Sequence, residues 1–490
     1  MIPKREILEI ATSSNLTAHV IEKDYVLGWI MAGINQHKEI GNSWIFKGGT
    51  CLKKCYFETY RFSEDLDFTL RDKNHIDADY LKNIFDEIGE WIYEQSGIEL
   101  PVDRMIFDIY ENPRGVSSCQ GRLFYKGPFE PQSPKALPRI KLDLSTDEII
   151  VMPPVKNSIS HQYSDHPQNG FQIECYPYEE IFAEKIRALG ERSRPRDLYD
   201  VINFYRRPES QEKALKVMEV LKKKCDYKGI EVPNYNSLKK YQDECLAGWE
   251  QQLSHQLQVL PPFDSFWQEL QEFFQWLSNS HVAPTKELGI IPVRSDAVYN
   301  ASQADIIAFP ATTVNLGSLD RVRFAAANHL CVELVYRRED GAQKTYLIEP
   351  YSLRRTSEGN LLLYSVKHNT SEIRAFRTDR IIVITATNIN FVPKYRIEFL
   401  PAGPISDHIP MTNGGVHSLG LSSKRNSTRH SELTRPRLSG FGSGIKYIYQ
   451  CSLCRKNFTR SRMDGRLNPH KNKSDWNCSG RVGIYVKTKH

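Results

Sequence analysis

Residues 4–37 carry apolar side chains at helical spacing: Ile7, Leu8 and Ile10, then Val20, Ile21, Tyr25, Val26, Trp29 and Ile30. Recurrence every three to four positions predicts amphipathic helices. The next segment, WIFKGGTCLKKCYF, reads as a short apolar strand, a double-glycine turn and a helix start. RFSEDLDFTL follows, with Leu66 and Phe68 alternating against Asp65 and Asp67, the period of a strand. The pattern then predicts a helix over 75–95, a strand in RIKLDLST from Arg139, and a helical stretch over 177–205 interrupted at Pro195. Residues 209–285 read as helical throughout. They end in an aromatic stripe, Phe263, Phe266, Trp267, Phe273, Phe274 and Trp276, whose spacing marks it as core.

From about residue 320 the texture changes. One helix (319–330) leads into short β-like runs, CVELVYRR, KTYLIEPYSLRR, LLLYSVKH and IRAFRTDRIIVI, separated by turn residues around Gly341 and Gly359. Residues 405–444 are rich in Gly, Ser, Asn, Pro and basic residues with little apolar pattern, as in a flexible linker. The expected division is 1–205, a helical extension 206–285, a small β module 286–404, the linker, and a cysteine-containing tail 445–490.

Composition narrows the class. Hydrophobic residues at 40% and charged residues at 25% suit an ordinary soluble protein. No run of eighteen apolar residues occurs and the N-terminus lacks an apolar signal core, so neither a membrane span nor a secretory signal is expected. Seven of the ten cysteines share no spacing, which fits reduced thiols in a cytoplasmic protein. The net charge of +6 is modest, but the basic excess is concentrated in 420–490, pointing that region toward nucleic acid.

The strongest chemical signal is Gly48, Gly49 and Thr50 followed by Asp65 and Asp67. Residues two apart in a strand share a face, so the two carboxylates can stand side by side. Such a pair is stabilised by a hard cation, and Mg²⁺ takes oxygen ligands of this kind. Glycines before a helix let backbone N–H groups approach a phosphate, and Thr50 adds a hydroxyl. Asp143, on the strand RIKLDLST, is a third carboxylate for a two-metal arrangement. In the second constellation, Lys185 suits a nucleotide phosphate as a point charge, and Arg196 and Asp197 follow the helix restart at Pro195. Alone, that constellation also reads as an exposed basic helix.

FKGGTCLKK, RFSEDLDF, EKIRAL and RSRPRDLYD together resemble the AbiEii/AbiGii family of type IV toxin nucleotidyltransferases, over about residues 1–285. The resemblance implies an α+β, DNA polymerase β-like nucleotidyltransferase fold with a helical extension. It places the metal-binding carboxylates on Asp65 and Asp67, the phosphate-binding turn on Gly48, Gly49 and Thr50, the essential lysine on Lys185 and the late aspartate on Asp197. Ser63 and Arg196 join the expected nucleotide-binding residues. Asp197 is left open as an orienter of Lys185 or Arg196, or as a base. The implied activity is Mg²⁺-dependent transfer of NMP from an NTP to RNA, in particular the tRNA 3′ end, by a toxin or antiphage effector with an antitoxin partner. Synthesis of a nucleotide signal, NMP transfer to protein, or a catalytically silent nucleic-acid-binding regulator are the alternatives.

Residues 336–381 resemble a WYL domain, an SH3-like β-barrel, through Tyr336, Glu349, Pro350, the LLLY strand and the run Arg374 to Ile381. Arg374, Arg377 and Arg380 are its candidate nucleic-acid or ligand contacts. In the tail, Cys451, Cys454, His470 and Cys478 suit structural Zn²⁺, as in a zinc ribbon.

Overall fold

The computed structural model describes residues 1–57, 61–112, 114–129, 137–167, 170–278, 288–292, 316–355, 360–399, 446–451, 456–460, 470–471, 477–478 and 483–489. It comprises two compact units, Met1–Val416 and His417–His490.

The first unit opens with α1 (Lys4–Ser14) and α2 (Ala18–Gln36). Thr17 caps α2 by accepting from the Val20 N–H, which satisfies one of the donors a helix start leaves open. Unlike α1, α2 is buried on nearly every side, as a helix inside a core must be. Its Gly33 permits the close crossing, since a Cβ there would meet Ile88 at 2.8 Å. Next come β1 (Trp44–Lys47), the one-turn helix α3 (Gly48–Cys51) with a π turn at Leu52–Tyr56, and β2 (Asp65–Leu70). Helix α4 (Ala78–Ser96) starts on the Asp77 carboxylate, which accepts from the Tyr80 N–H, and stops at Gly97 in the left-handed conformation. Strands β3 (Ile106–Glu111), β4 (Ser117–Phe124), β5 (Arg139–Ser145), β6 (Val155–Ile159) and β7 (Phe171–Cys175) follow.

These seven strands form one mixed sheet in the order β3-β4-β5-β2-β1-β7-β6. The β2–β5 and β1–β7 pairings are parallel and the rest antiparallel. The alternation in β2 sends Leu66 and Phe68 into the core with Trp44 and Phe46, leaving Asp65 and Asp67 on the other face. Strands β3, β4, β6 and β7 were not legible in the hydrophobic pattern.

Helices α5 (Tyr178–Arg192) and α6 (Pro195–Tyr205) are separated by Ser193 in the left-handed region and restarted by Pro195 at the first helical position. The extension is broken rather than continuous: α7 (Ala214–Lys228), α8 (Tyr235–Lys239), α9 (Gln242–Leu253), α10 (Asp264–Trp267) and α11 (Glu269–Ser278). Its aromatic stripe is core, as its spacing predicts. Tyr199 stacks on Phe266, and Phe182 lies between Phe204 and Trp276. The extension therefore braces α5 and α6 from behind.

Helix α12 (Leu316–Ala327) then leads into β8 (Leu330–Arg337), β9 (Gln343–Arg355), β10 (Leu361–Lys367), β11 (Ile373–Arg377) and β12 (Ile381–Asn390). The sheet order is β11-β10-β9-β8-β12, antiparallel throughout. β11 and β12 remain edges, so among the described strands the sheet is open where the resemblance implied a closed barrel. This module is not a bead on a string. Val322, Phe324 and Leu330 belong to the same apolar cluster as Trp44 and Phe68, and Arg321 bridges the Ser13 and Ile384 carbonyls.

The second unit holds β13 (Lys446–Cys451), β14 (Asn457–Arg460), the short β15 (His470–Lys471) and β16 (Asn477–Cys478), and β17 (Gly483–Lys489). Strands β14, β13 and β17 form one sheet, and β15 pairs β16 with His470 opposite Cys478. Cys451 is buried, and the other expected zinc ligands, Cys454 and the side chains of His470 and Cys478, lie outside the described residues.

Candidate active site

Three carboxylates meet on one face of the large sheet. Asp67 stands opposite Asp143 in the parallel β2–β5 register, and Asp65 stands opposite Lys141. Asp143 is held by Lys141 at 2.6 Å and by the Gln120 amide at 3.1 Å. The crowding is visible in the protonation equilibria. Burial pushes Asp67 up to about 6, and the Asp143 and Asp65 charges add to it, while Lys47 and Lys185 oppose. Asp65 is raised too, again mainly by burial. An oxygen cluster that is costly to ionise bare is one a divalent cation relieves. The donor set therefore fits Mg²⁺.

The double-glycine turn lies against this cluster, and its sequence is dictated by space. Gly48 has φ +82°, and a Cβ there would sit 2.2 Å from the Asp67 carboxylate. A Cβ on Gly49 would meet Arg61 at 2.7 Å and Ser63 at 3.0 Å. The Thr50 hydroxyl donates to the Asp65 carbonyl at 2.5 Å, so here it ties the turn to β2.

Lys185 arrives on α5. It pairs with Asp200 at 2.7 Å and lies 3.5 Å from Asp197. Asp200 also receives a two-pronged bond from Arg61, 2.7 and 2.8 Å, and Arg61 is steadied by Gln256 at 3.0 Å. Burial alone would raise Asp200; Arg61 and Lys185 outweigh it and hold the carboxyl far below its ordinary range. Asp197 accepts two bonds from Arg192, 2.7 and 3.1 Å, and is buried. Its carboxylate lies within 3.5 Å of the Lys185 ammonium as well. Arg196 acts on Asp65 through its charge. Lys47 is paired with Glu148 and faces Asp67 across the β1–β2 register.

The structure thus gathers Gly48, Gly49, Thr50, Ser63, Asp65, Asp67, Asp143, Lys185, Arg196 and Asp197 into one region. Arg61, Asp200, Lys47 and Arg192 belong to it as well, without having been singled out from sequence. A signal existed for Asp200, which lies one helical turn after Asp197 and so shares its face. Arg61 carried none, because its partner is 139 residues away. The cavity of about 90 Å³ between α12 and α1, lined by Ile10, Asp24, Lys53, Gln256, Arg323 and Phe324, is separate from these carboxylates.

The three candidate arginines of the smaller sheet are engaged separately. Arg374 lies over the Tyr346 and Phe376 rings, Arg377 is bound by Asp379 and Asn360, and Arg380 by Glu339. Arg374 and Arg377, three apart on a strand, take opposite faces.

A strand-borne carboxylate cluster beside a glycine turn, with a buried lysine opposite, is an arrangement for handling a nucleoside triphosphate. The family model described as "Nucleotidyl transferase AbiEii toxin, Type IV TA system" matches residues 29–275, just over half of the chain. The chain belongs to this family, and it is a nucleotidyltransferase. The WYL domain model matches residues 317–386. Among solved structures the chain is similar to MenT4, a nucleotidyltransferase toxin from Mycobacterium tuberculosis H37Rv, at 19% identity and a TM-score of 0.36, over 57% of this chain and 90% of that one. No curated protein matches it. Among the described residues, no helix is long and apolar enough to cross a membrane.

Proposed function

We propose that this protein transfers a nucleoside monophosphate from an NTP to an RNA acceptor, the tRNA 3′ end, as the toxin of a toxin–antitoxin or antiphage system. The observation that carries the reading is the carboxylate trio of Asp65, Asp67 and Asp143 set against the Gly48–Gly49 turn and Lys185. Asp65 and Asp67, with Asp143, would hold Mg²⁺, which when bound supplies charge neutralisation at the triphosphate and a lowered pKa for the attacking hydroxyl. The backbone of Gly48 and Gly49 receives the phosphates, with Ser63 and Arg196 alongside. The acceptor oxygen attacks the α-phosphorus, the bond to the bridging oxygen breaks, and pyrophosphate leaves. Lys185 neutralises the charge that develops on pyrophosphate, and Asp197 and Asp200 hold the lysine in place.

The tail is read as a structural Zn²⁺ module held by Cys451, Cys454, His470 and Cys478, which with its basic residues would contact RNA. Facing positions of His470 and Cys478 across a short ladder support that reading. The WYL-like sheet, an antitoxin partner and a cytoplasmic location complete it.

The test is transfer from each of four α-³²P-NTPs into total tRNA with Mg²⁺, for the wild type and for Asp65→Ala/Asp67→Ala. A labelled tRNA band that the variant lacks supports the reading and names the nucleotide. Label in protein or in a soluble product moves the acceptor to one of those classes. No label in any fraction favours a nucleic-acid-binding regulator or an enzyme that waits for a trigger.

A further inference from the structure

Next to the phosphate turn, three sulfurs converge. Cys51 ends α3, Cys55 lies in the π turn that follows, and Cys175 ends β7. Their Sγ atoms all lie within 4.8 Å of one another. Two features of the chain bring them together. The π turn closes with the Phe57 N–H donating to Leu52 O, and its wide pitch stacks Cys55 over Cys51. The parallel β1–β7 pairing sets Cys175 beside Phe46, just ahead of the turn. Among the described residues no other group of three metal-ligating side chains is this close.

We propose that Cys51, Cys55 and Cys175 form a trigonal thiolate site for a soft d¹⁰ cation, Cu⁺, lying beside the phosphate-binding turn. The donor set decides the metal class, since thiolates without imidazole or carboxylate select soft ions. Three donors suit Cu⁺, whereas Zn²⁺ asks for a fourth. The Tyr56 hydroxyl is 3.8 Å from the Cys175 sulfur and already donates to the Tyr176 carbonyl at 2.7 Å, so it is engaged elsewhere. The spacing fits as well. A metal–sulfur distance of roughly 2.3 Å in a planar site puts sulfurs about 4 Å apart, so the trio contracts by less than about 1 Å. Cys51 and Cys175 are fully buried, while Cys55 is partly exposed and gives the ion its way in.

On binding, each coordinating thiol releases its proton to solvent and no oxidant is involved. The filled site pins α3 to β7. Because Thr50 precedes Cys51 and is bonded to the Asp65 carbonyl, the clamp reaches both the phosphate turn and the carboxylate strand. This inference does not rest on the identity of the acceptor.

The experiment uses the full chain carrying Cys451→Ser, Cys454→Ser and Cys478→Ser, so that the tail thiols contribute nothing. Reduced protein is titrated without oxygen with Cu⁺ held by a competing chelator, and separately with Zn²⁺. One Cu⁺ per chain, an X-ray absorption spectrum with three sulfur neighbours, and an affinity roughly a hundredfold or more weaker in Cys175→Ser are expected. Tighter binding of Zn²⁺ than of Cu⁺, fewer than three sulfur neighbours, or Cu⁺ affinity unchanged in Cys51→Ala/Cys55→Ala would overturn it. The absorption spectrum of the chain with its trio intact decides the matter even if a cluster variant fails to fold.

Discussion

The two sheets of the first unit use charge in opposite ways. On the seven-stranded sheet, charged groups from distant parts of the chain are driven together. Asp67 faces Asp143 across a parallel register, and Lys185, Asp200 and Arg61 interlock under cover. On the five-stranded sheet, Arg377 and Arg380 are each neutralised by a carboxylate at the surface, and Arg374 rests on aromatic rings. A buried, like-charged cluster is costly, and folds keep one where a ligand repays it. Locally neutralised surface arginines cost little and contribute little. The contrast singles out the first sheet as the face built to receive a charged ligand.

Substitutions sharpen that contrast, the largest effect coming first. Asp67→Asn should lower transfer about a thousandfold or more, the loss of several kcal/mol of charge stabilisation at the reacting phosphate. The same variant should be more stable than the wild type, by about 1 kcal/mol at pH 7 without divalent cation. The sign follows from a folded pKa raised to about 6: the stability that protonated Asp67 contributes at low pH is lost as pH rises through that value. The advantage of the Asp67→Asn variant in thermal melts should therefore fade as pH falls below about 6. A melt showing Asp67→Asn destabilised at pH 7 would break the comparison.

Asp200→Asn is expected to behave in the opposite sense, losing about 3 kcal/mol because Arg61 and Lys185 are left buried and unbalanced. Its carboxyl is depressed in the fold, so its contribution is present above the ordinary Asp range and lost as pH falls below it. Urea unfolding at pH 7 and at acid pH reads both effects. Gly48→Ala puts a methyl group into the Asp67 carboxylate from a left-handed backbone, and should cost about 1–3 kcal/mol together with most of the activity. Retained activity would mean that the turn does not approach Asp67 as described. Smallest of all, Arg377→Ala should change stability by no more than about 0.5 kcal/mol and leave NMP transfer unaltered. A large loss of transfer there would bring the smaller sheet into the reaction.

Some of this was legible before any fold. The alternation of Asp65 and Asp67 against Leu66 and Phe68 is a local property of a strand, and the order of glycine turn, helix and strand needs no tertiary information. The helix restart at Pro195 and the core role of Phe266 and Phe273 were likewise set by local geometry and periodicity. Strands β6 and β7 were not, because they are short and their apolar positions do not distinguish strand from loop until the sheet recruits them.

The sequence by itself therefore marked the carboxylates and the glycine turn as able to carry chemistry, since strand period and turn sterics act over a few residues. Only the tertiary structure decided which of them meet. Arg61 is 139 residues from Asp200, and Cys175 is 124 residues from Cys51, separations over which no local periodicity extends. Parallel strand register and helix packing close those gaps, and both are set by burial of the whole core rather than by any one segment.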